Sequence, residues 1–507
     1  MINDQRYRVF FRVKNFKSLE DVKVELKPTT FLFGPNGSGK SSFIKAIRSL
    51  GHYLLNVWNP EIFLFQDDFI KPSSFKIDTE TNLGSYEEII FNNNTSQNIE
   101  YEFEFHNCLS LINKQQNTSF YDFSKISETE KSWFNCRITF TLKNSEYESL
   151  LLEKITIEDL TDNFIYSFDS YKQFSENFAA TYKSEILVPD KMKYGIYKEL
   201  FEEMTLTPLF NSKFGDAVKI RNYFSSDIVE RYFATKFNYH EYQDIDINDF
   251  KLEIMRTFER IFILAPEHIS NLFSNPLHLH SLRQLPKSSY PLVNNRFSIE
   301  DYYGIPKILD QFNEAWVKLK IKTPTEKINY YLSEVFNLQE RIEIFKEKLS
   351  GCINIVNNNN KSIYNLSNAS SGVIQLLPII TLISMSEVKE EIVKLFFCEQ
   401  PELHLHPKLQ VKLAEFFSLK EFESVYKIIE THSEHIIRKV QVLIAQGKLT
   451  KDDVVVYYFD KKDGSTKVKE IEMDDNGLFK EPWPDGFFDD KMELTLDLLE
   501  AIRERSN

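Results

Sequence analysis

The sequence predicts an α/β protein with a mainly parallel core sheet, an antiparallel β subdomain and a helical insertion. Three observations lead to it. A strand-like run, Thr29 to Phe33, enters a loop holding Gly34, Gly37 and Gly39 and then a helix with Phe43, Ile44, Ile47, Leu50 and Leu54 on one face. Between Asn98 and Phe168 apolar residues recur mostly every second position, as in Ile99 to Phe105 and Arg137 to Leu142, which is the pattern of antiparallel strands with one wet face. Two nearly continuous apolar runs, Ile392 to Cys398 and Val425 to Ile429, have the pattern of buried parallel strands.

The first of these stretches has the spacing G-x-x-x-x-G-K-[ST], in the strand, loop and helix context that a phosphate loop requires. Gly34, Pro35, Asn36, Gly37, Ser38, Gly39, Lys40, Ser41 and Ser42 are therefore candidate nucleotide-binding residues. Glycines allow backbone N–H groups to turn inward around a polyphosphate, and the helix start adds partial positive charge. Lys40 is placed to bridge the β and γ phosphates, and Ser41 offers a hydroxyl to Mg²⁺. A carboxylate at the C-terminal end of a core strand suits an acid that orders Mg²⁺, and Glu399 has that place. His432 follows the run Val425 to Ile429 and precedes a helix extending to about Gly447, a position suited to sensing a γ phosphate. The small-residue turn at Ser370, Ser371 and Gly372 opens an apolar helix; it is either an anion site for a phosphate held by a second subunit or a simple N-cap.

Around these motifs, Arg6 to Val13 and Val22 to Leu26 alternate as strands about a turn. Residues 190–261 look helical and aromatic, Phe262 to Pro266 resembles a strand, and Ile305 to Leu349 has helical period without sustained heptads. Asn357 to Asn360 suits an exposed hairpin tip, and Val454 to Phe459 and Val468 to Met473 read as strands. The resulting organisation is an N-terminal part of the core with the phosphate loop (1–95), an antiparallel β subdomain (96–185), a helical insertion (186–350) and a C-terminal part of the core (351–507). Two lookalikes carry less. Asp244 to Asp249 lacks the glycine and glutamate of a calcium loop, and His404 with His406 makes two metal ligands without a third.

With 507 residues, 42% of them hydrophobic, and with 44 Phe and 24 Tyr, the chain can build more than one core. Its formal charge of −14 restricts any nucleic-acid contact to a local patch, of which Lys318, Lys320, Lys322 and Lys327 are the candidate. Cys108, Cys136, Cys352 and Cys398 are far apart, with no C-x-x-C pair, which points away from a zinc site or disulfide framework and toward a reducing cytoplasm. No long apolar run or leader-like start appears, so membrane spanning and secretion are not expected.

In combination, Gly34 to Ser41, Ser370 to Gly372, Phe397 to Glu402 and Thr431 to Ser433 resemble the ABC/SMC-like ATPases related to RecF and the OLD (overcoming lysogenization defect) nucleases. Glu399 to Pro407, Glu430 to Ser433, Asp474 to Gly477 and Trp483 to Asp489 look like a subgroup of stand-alone bacterial ATPases. The resemblance implies an ABC-type P-loop head that binds ATP and Mg²⁺. It implies a head-to-tail dimer or higher oligomer in which Ser370 to Gly372 of one protomer closes on the nucleotide at Lys40 and Ser41 of the other. Glu399 falls at the Walker B acid, His432 at the switch histidine, and Pro401 to Pro407 near the loop that signals across the dimer. Gln400 stands where such ATPases usually carry a catalytic glutamate, so hydrolysis by the set Lys40, Glu399, Gln400 and His432 is expected to be slow; Glu402 and His404 are candidate substitute bases. The tail after His432 is too short for an appended Toprim nuclease. By analogy with defence-system ATPases, the implied function is a cytoplasmic ATPase that controls a separately encoded effector, a nuclease in anti-phage defence, with DNA reached through that partner or a local patch. The alternatives are a RecF-like repair ATPase that binds DNA directly and a transporter-type ATPase subunit.

Overall fold

The computed structural model describes residues 7–52, 83–110, 132–144, 150–171, 181–187, 260–273, 276–281, 283, 285–291, 323–346, 350–386 and 394–483, with five isolated positions between 196 and 257. In chain order, β1 (Arg8–Phe16), β2 (Leu19–Leu26) and β3 (Thr29–Phe33) precede α1 (Lys40–His52). After α2 (Tyr86–Ile89) come β4 (Ile99–Ser110), β5 (Ser132–Asn144), β6 (Leu150–Asp159), β7 (Phe164–Tyr171) and β8 (Thr181–Leu187). Next are α3 (Ala265–Phe273), β9 (Leu277–Leu279), β10 (Tyr290–Pro291), α4 (Pro324–Tyr330), β11 (Glu340–Lys346), β12 (Ser350–Asn357) and β13 (Ile363–Asn365). The last stretch holds α5 (Ser371–Ser386), β14 (Lys394–Glu399), α6 (Pro407–Phe417), β15 (Val425–Glu430), α7 (Glu434–Ala445), β16 (Val454–Lys462) and β17 (Ser465–Glu470). These elements sort into two compact units, one of Met1–Leu26, Ser42–Ser274 and Asp463–Thr466, the other of Lys27–Ser41, Asn275–Lys462 and Lys467–Asn507.

The first unit is built on an antiparallel sheet of order β2-β1-β4-β5-β6-β7-β8. Alternation assigns its faces. Val9, Phe11 and Val13, Tyr101, Phe103 and Phe105, and Ile138 and Phe140 are buried on one side. Charged residues ladder across the strands between them, with Arg12 bidentate on Asp21 at 2.7 and 2.6 Å and Arg137 reaching both Glu104 and Glu158. Phe43 of α1 meets Phe11 edge-on at 5.5 Å, and Ser49 Oγ lies 3.0 Å from the Tyr101 hydroxyl, so the buried face of α1 is fixed on this sheet. One expectation is corrected here. Phe262 to Pro266 is not a strand but part of a π-helical turn, Arg260–Leu264, that runs into α3. Ile261, Leu264, Ala265, Ile269 and Leu272 are buried at three- and four-residue steps, and a five-residue apolar run by itself cannot separate the two periods. Arg260 anchors the turn, bonding Asp159 at 3.1 Å and Asp162 at 2.5 Å.

The core of the second unit is a sheet of order β17-β16-β3-β15-β14-β9, in which β3 pairs in parallel with β15 and β16, and β14 in parallel with β15 and β9. Every residue of β3 and β15 is buried, as the continuous apolar runs require. Helix α5 is buried nearly all round from Val373 to Ser384, the property of a helix inside a core rather than on one. A smaller sheet of order β10-β12-β11, with β13 beside β12, carries the asparagine run at a turn where Asn359 and Asn360 are exposed and Asn357 Oδ1 accepts from the Asn359 N–H at 2.9 Å. Among the described residues of Ile305 to Leu349, the helical reading holds for α4 and the turn after it. Glu340–Lys346 is strand, because Ile342 and Ile344 alternate with Arg341, Glu343 and Phe345. Gly447 takes φ +66° after α7 and lets Lys448 N–H return to the Leu443 carbonyl at 3.0 Å, closing the helix as its place in the sequence suggests. The expected helical lobe at 190–261 (apart from the isolated positions and Arg260 and Ile261), the Asp244 to Asp249 stretch, Lys318, Lys320 and Lys322, and the motif beyond Trp483 lie outside the described residues.

Candidate nucleotide site

All but one of the candidate phosphate-loop residues, and every acid and histidine considered with them, belong to the second unit; Ser42, the next residue of α1, opens a segment of the first. Strand β3 delivers the chain to Gly34 at φ +142°, where a side chain would collide with the Phe459 backbone of β16. Gly37 and Gly39 also have positive φ, at +75° and +106°, which shapes the loop ahead of α1 as the glycine spacing implies. Pro35, Asn36 and Gly37 are exposed, Ser38 and Gly39 buried, and Ser41 and Ser42 partly exposed. Lys40 is 3% exposed and folds back over the loop, donating from Nζ to the Gly34 carbonyl at 3.0 Å and the Pro35 carbonyl at 2.9 Å. Burial lowers its pKa, opposed by Glu430 and Glu402.

The acid on Ser41 is one the sequence reading missed. Ser41 Oγ donates to Glu430 Oε2 at 2.8 Å, and Glu430 Oε1 lies 3.8 Å from Lys40 Nζ. Strand β15 stands between β3 and β14, so the carboxylate closing β15 meets the loop, while Glu399, closing β14, is one strand further away. Applying to Val425 to Ile429 the rule that singled out Glu399 would have found Glu430, since it also closes a buried strand. Burial pushes the Glu430 carboxyl up, against the bond from Ser41 and the charge of Lys40. Glu399 Oε1 is 3.0 Å from His278 Nε2, and Gln400, at φ +44°, donates its N–H to the Glu430 carbonyl at 2.7 Å.

Two further contacts define the cluster. Glu402 accepts from Thr431 Oγ1 at 2.9 Å and from the His432 N–H at 2.7 Å, so both its oxygens hold the segment between β15 and α7; burial raises its pKa. His432 bonds through its ring to the Gly34 backbone, and its Nε2 is buried with no hydrogen-bond partner among the described residues. Burial first, and then the charge of Lys40, lower the His432 pKa to about 4, so the imidazole is neutral at pH 7. Arg283 bridges elsewhere, from Gln375 of α5 at 2.7 Å to the Glu399 carbonyl at 3.3 Å. Ser370 and Ser371 are exposed at the head of α5 beside the partly exposed Gly372, and Ser370 Oγ accepts weakly from the Val373 N–H at 3.5 Å, the N-cap arrangement. His404 is exposed, and His406 caps α6 by accepting from the Lys408 N–H at 3.3 Å, which gives it a structural role.

The residues of this cradle fit a magnesium nucleotide. A buried lysine is aimed at backbone carbonyls that a phosphate can replace, a hydroxyl and a carboxylate meet at the helix start, and an unpartnered imidazole nitrogen is buried nearby. A parallel sheet whose inner strand opens into a glycine loop and a Lys-Ser helix is the layout of P-loop nucleoside triphosphatases. The chain belongs to the AAA ATPase domain family (AAA_15), whose family model matches residues 9–437, so ATP binding and hydrolysis are its general activity. Residues 449–498 match a second family, described as a protein of unknown function (DUF3696). No curated protein matches. Among solved structures, the chain is similar to the SMC head domain from Thermotoga maritima, with 12% identity and a TM-score of 0.36, covering 92% of this chain and 98% of that one. It is also similar to the Smc head domain with an extended coiled coil bound to the C-terminal domain of ScpA from Pyrococcus furiosus, with 11% identity and a TM-score of 0.35, covering 98% and 100%. Among the described residues no helix is long and apolar enough to cross a membrane.

Proposed function

We propose that the chain binds ATP·Mg²⁺ in the cradle of residues 34–42, hydrolyses it slowly, and pairs head to tail with a second copy to control a separately encoded effector, a nuclease in bacterial anti-phage defence. The observation that carries the nucleotide part is the buried Lys40 and the Ser41–Glu430 pair at the start of α1. When bound, Mg²⁺ neutralises charge on the β and γ phosphates. Lys40 would exchange the Gly34 and Pro35 carbonyls for phosphate oxygens, and Ser41 and Glu430 would supply oxygen donors to the ion. The His432 ring is neutral at pH 7 and donates to the Gly34 backbone, so Nε2 would accept from a proton-bearing group, such as a water, beside the terminal phosphate without adding charge. Gln400 orients water but takes no proton from it, which supports slow turnover.

Pairing is supported by the exposure of Ser370 and Ser371 at the head of α5, a helix start that can meet a phosphate from outside the subunit. The effector and its role in defence rest on the motif resemblance. Isothermal titration of ATP with and without Mg²⁺, followed by light scattering of the same samples, tests the reading. Wild type is expected to bind ATP·Mg²⁺ and to double its mass or more, and Lys40→Ala to lose both. Heat-silent titrations and a mass unchanged by ATP overturn it. Co-purification with the products of neighbouring reading frames, in ATP and in ADP, then tests the effector.

A further inference from the structure

Strand β9 is an edge strand of the core sheet of the second unit; it carries His278 and Leu279, and His280 follows directly after it. Successive side chains on a strand alternate faces, so the two histidines share one. Strand β9 pairs in parallel with β14, with His278 opposite Phe397 and Leu279 opposite Cys398; the next residues in register are His280 and Glu399. The topology thus brings an imidazole, a second imidazole and a strand-end carboxylate to one corner of one face.

Side-chain geometry agrees with that derivation. Glu399 Oε1 lies 3.0 Å from His278 Nε2 and 4.0 Å from His280 Nδ1, and the two rings stand edge to face at 3.9 Å. One ligand atom from each of the three residues falls within 4.8 Å of the other two. Bonds of about 2.0–2.2 Å to a single ion put neighbouring ligand atoms on the order of 3 Å apart, so the first separation already fits and the second closes with a small turn of the His280 ring. The His278 side chain is 2% exposed and that of Glu399 12%, whereas His280 is 31% exposed, which leaves one open side for entry and for water ligands. Two imidazoles with one carboxylate select first-row divalent transition ions; Mg²⁺ prefers oxygen donors alone. Ser41 has its carboxylate in Glu430, so Glu399 can face the histidines through Oε1 without removing the acid from the phosphate loop.

We propose that His278, His280 and Glu399 form a three-ligand site for a divalent transition ion of the Zn²⁺ and Co²⁺ type, separate from the Mg²⁺ that accompanies a nucleotide. The ion fastens edge strand β9 to the end of β14, one residue before Gln400. The site does not depend on the nucleotide reading, and the two fail separately.

The test uses the full chain, stripped with a chelator and titrated with Co²⁺ in the absence of nucleotide. One Co²⁺ per chain with strengthened visible bands, displaced by Zn²⁺, is expected, and His280→Ala at the exposed rim is expected to weaken binding by at least about tenfold. His278→Gln provides a second ligand variant with a side chain of similar reach. Lys40→Ala is expected to keep Co²⁺ binding while losing ATP, which distinguishes the two sites. A wild-type spectrum that stays that of the hydrated ion, or identical titrations for wild type and the histidine variants, overturns the proposal and leaves the His278–Glu399 contact as a hydrogen bond.

Discussion

Replacing Gly34 by alanine measures how tightly the phosphate loop is seated on its sheet. At φ +142° the backbone is in a region that side chains avoid, at a cost of about 1–3 kcal/mol. The new Cβ would also press into the Phe459 carbonyl oxygen and lie 3.1 Å from the carbonyl carbon, both backbone atoms of β16, which no rotamer change can relieve. Relief requires the ends of β3 and β16 to part beside the Phe33–Tyr458 register pair, which weakens one or two ladder hydrogen bonds at roughly 1 kcal/mol each. Gly34→Ala is therefore expected to destabilise by about 2–5 kcal/mol. Gly37 supplies the control: its φ is +75°, but a Cβ there meets nothing within 4 Å, so Gly37→Ala carries only the conformational cost, about 1 kcal/mol. The assay is urea unfolding of both variants beside wild type, with ATP affinity measured on the same preparations. Equal losses for the two variants would refute the argument, because the β16 contact would then contribute nothing.

Glu430→Gln keeps the hydrogen bond to Ser41 but removes the charge beside Lys40, so ATP affinity in excess Mg²⁺ should fall by about tenfold while affinity in chelator stays level or rises; titrations in both buffers check it. The His432 pKa is depressed from its ordinary 6.5 to about 4, first by burial, so the stability it contributes is present above pH 6.5 and is lost as pH falls toward 4. Glu430 and Glu402, raised by burial, act in the opposite sense, so the comparison to make is the thermal midpoint of wild type against His432→Gln, whose difference should shrink between pH 7 and 4.5; a constant difference contradicts the assignment. Gln400→Glu preserves side-chain size and supplies a base, and should raise ATP turnover by about 10² or more; an unchanged rate in a coupled phosphate-release assay excludes Gln400 as the cause of slow hydrolysis.

The features legible in the sequence were those set by local period. The strand, glycine loop and helix at 29–52 show themselves because each residue type is needed at its own step, and the period-two stretches of β4 and β5 because one face is buried and the other wet. What local period does not contain is strand order. Nothing in Val425 to Ile429 says that β15 lies between β3 and β14, so Glu399 attracted attention and Glu430, the acid in contact with Ser41, did not. The histidines escaped for a related reason: β9 is only three residues long, and His278 acquires a carboxylate partner only through its register with β14. His404 and His406 are also two apart, but one is exposed and the other caps a helix, so equal spacing had unequal meaning.

The ends of β3, β15 and β14 are laced together by hydrogen bonds. Thr431 N–H bonds the Leu32 carbonyl at 3.0 Å, Gln400 N–H bonds the Glu430 carbonyl at 2.7 Å, and Glu402 holds Thr431 and His432 from the next turn. Each strand-end acid is secured by a different group: Glu430 by Ser41, Glu402 by the His432 segment and Glu399 by His278. Glu399 and Glu402 each push the Glu430 pKa upward, so the acids repel one another, while Lys40 is the cation that lowers it. A nucleotide that draws Lys40 off its carbonyls removes part of that compensation at the moment it brings a cation of its own. The strand ends must readjust together, because the backbone bonds between them leave no strand to move alone. Arg283 bonds both the Glu399 carbonyl and Gln375, which lies one helical turn into α5 from the exposed Ser370 and Ser371, so one side chain joins the strand end to the start of α5.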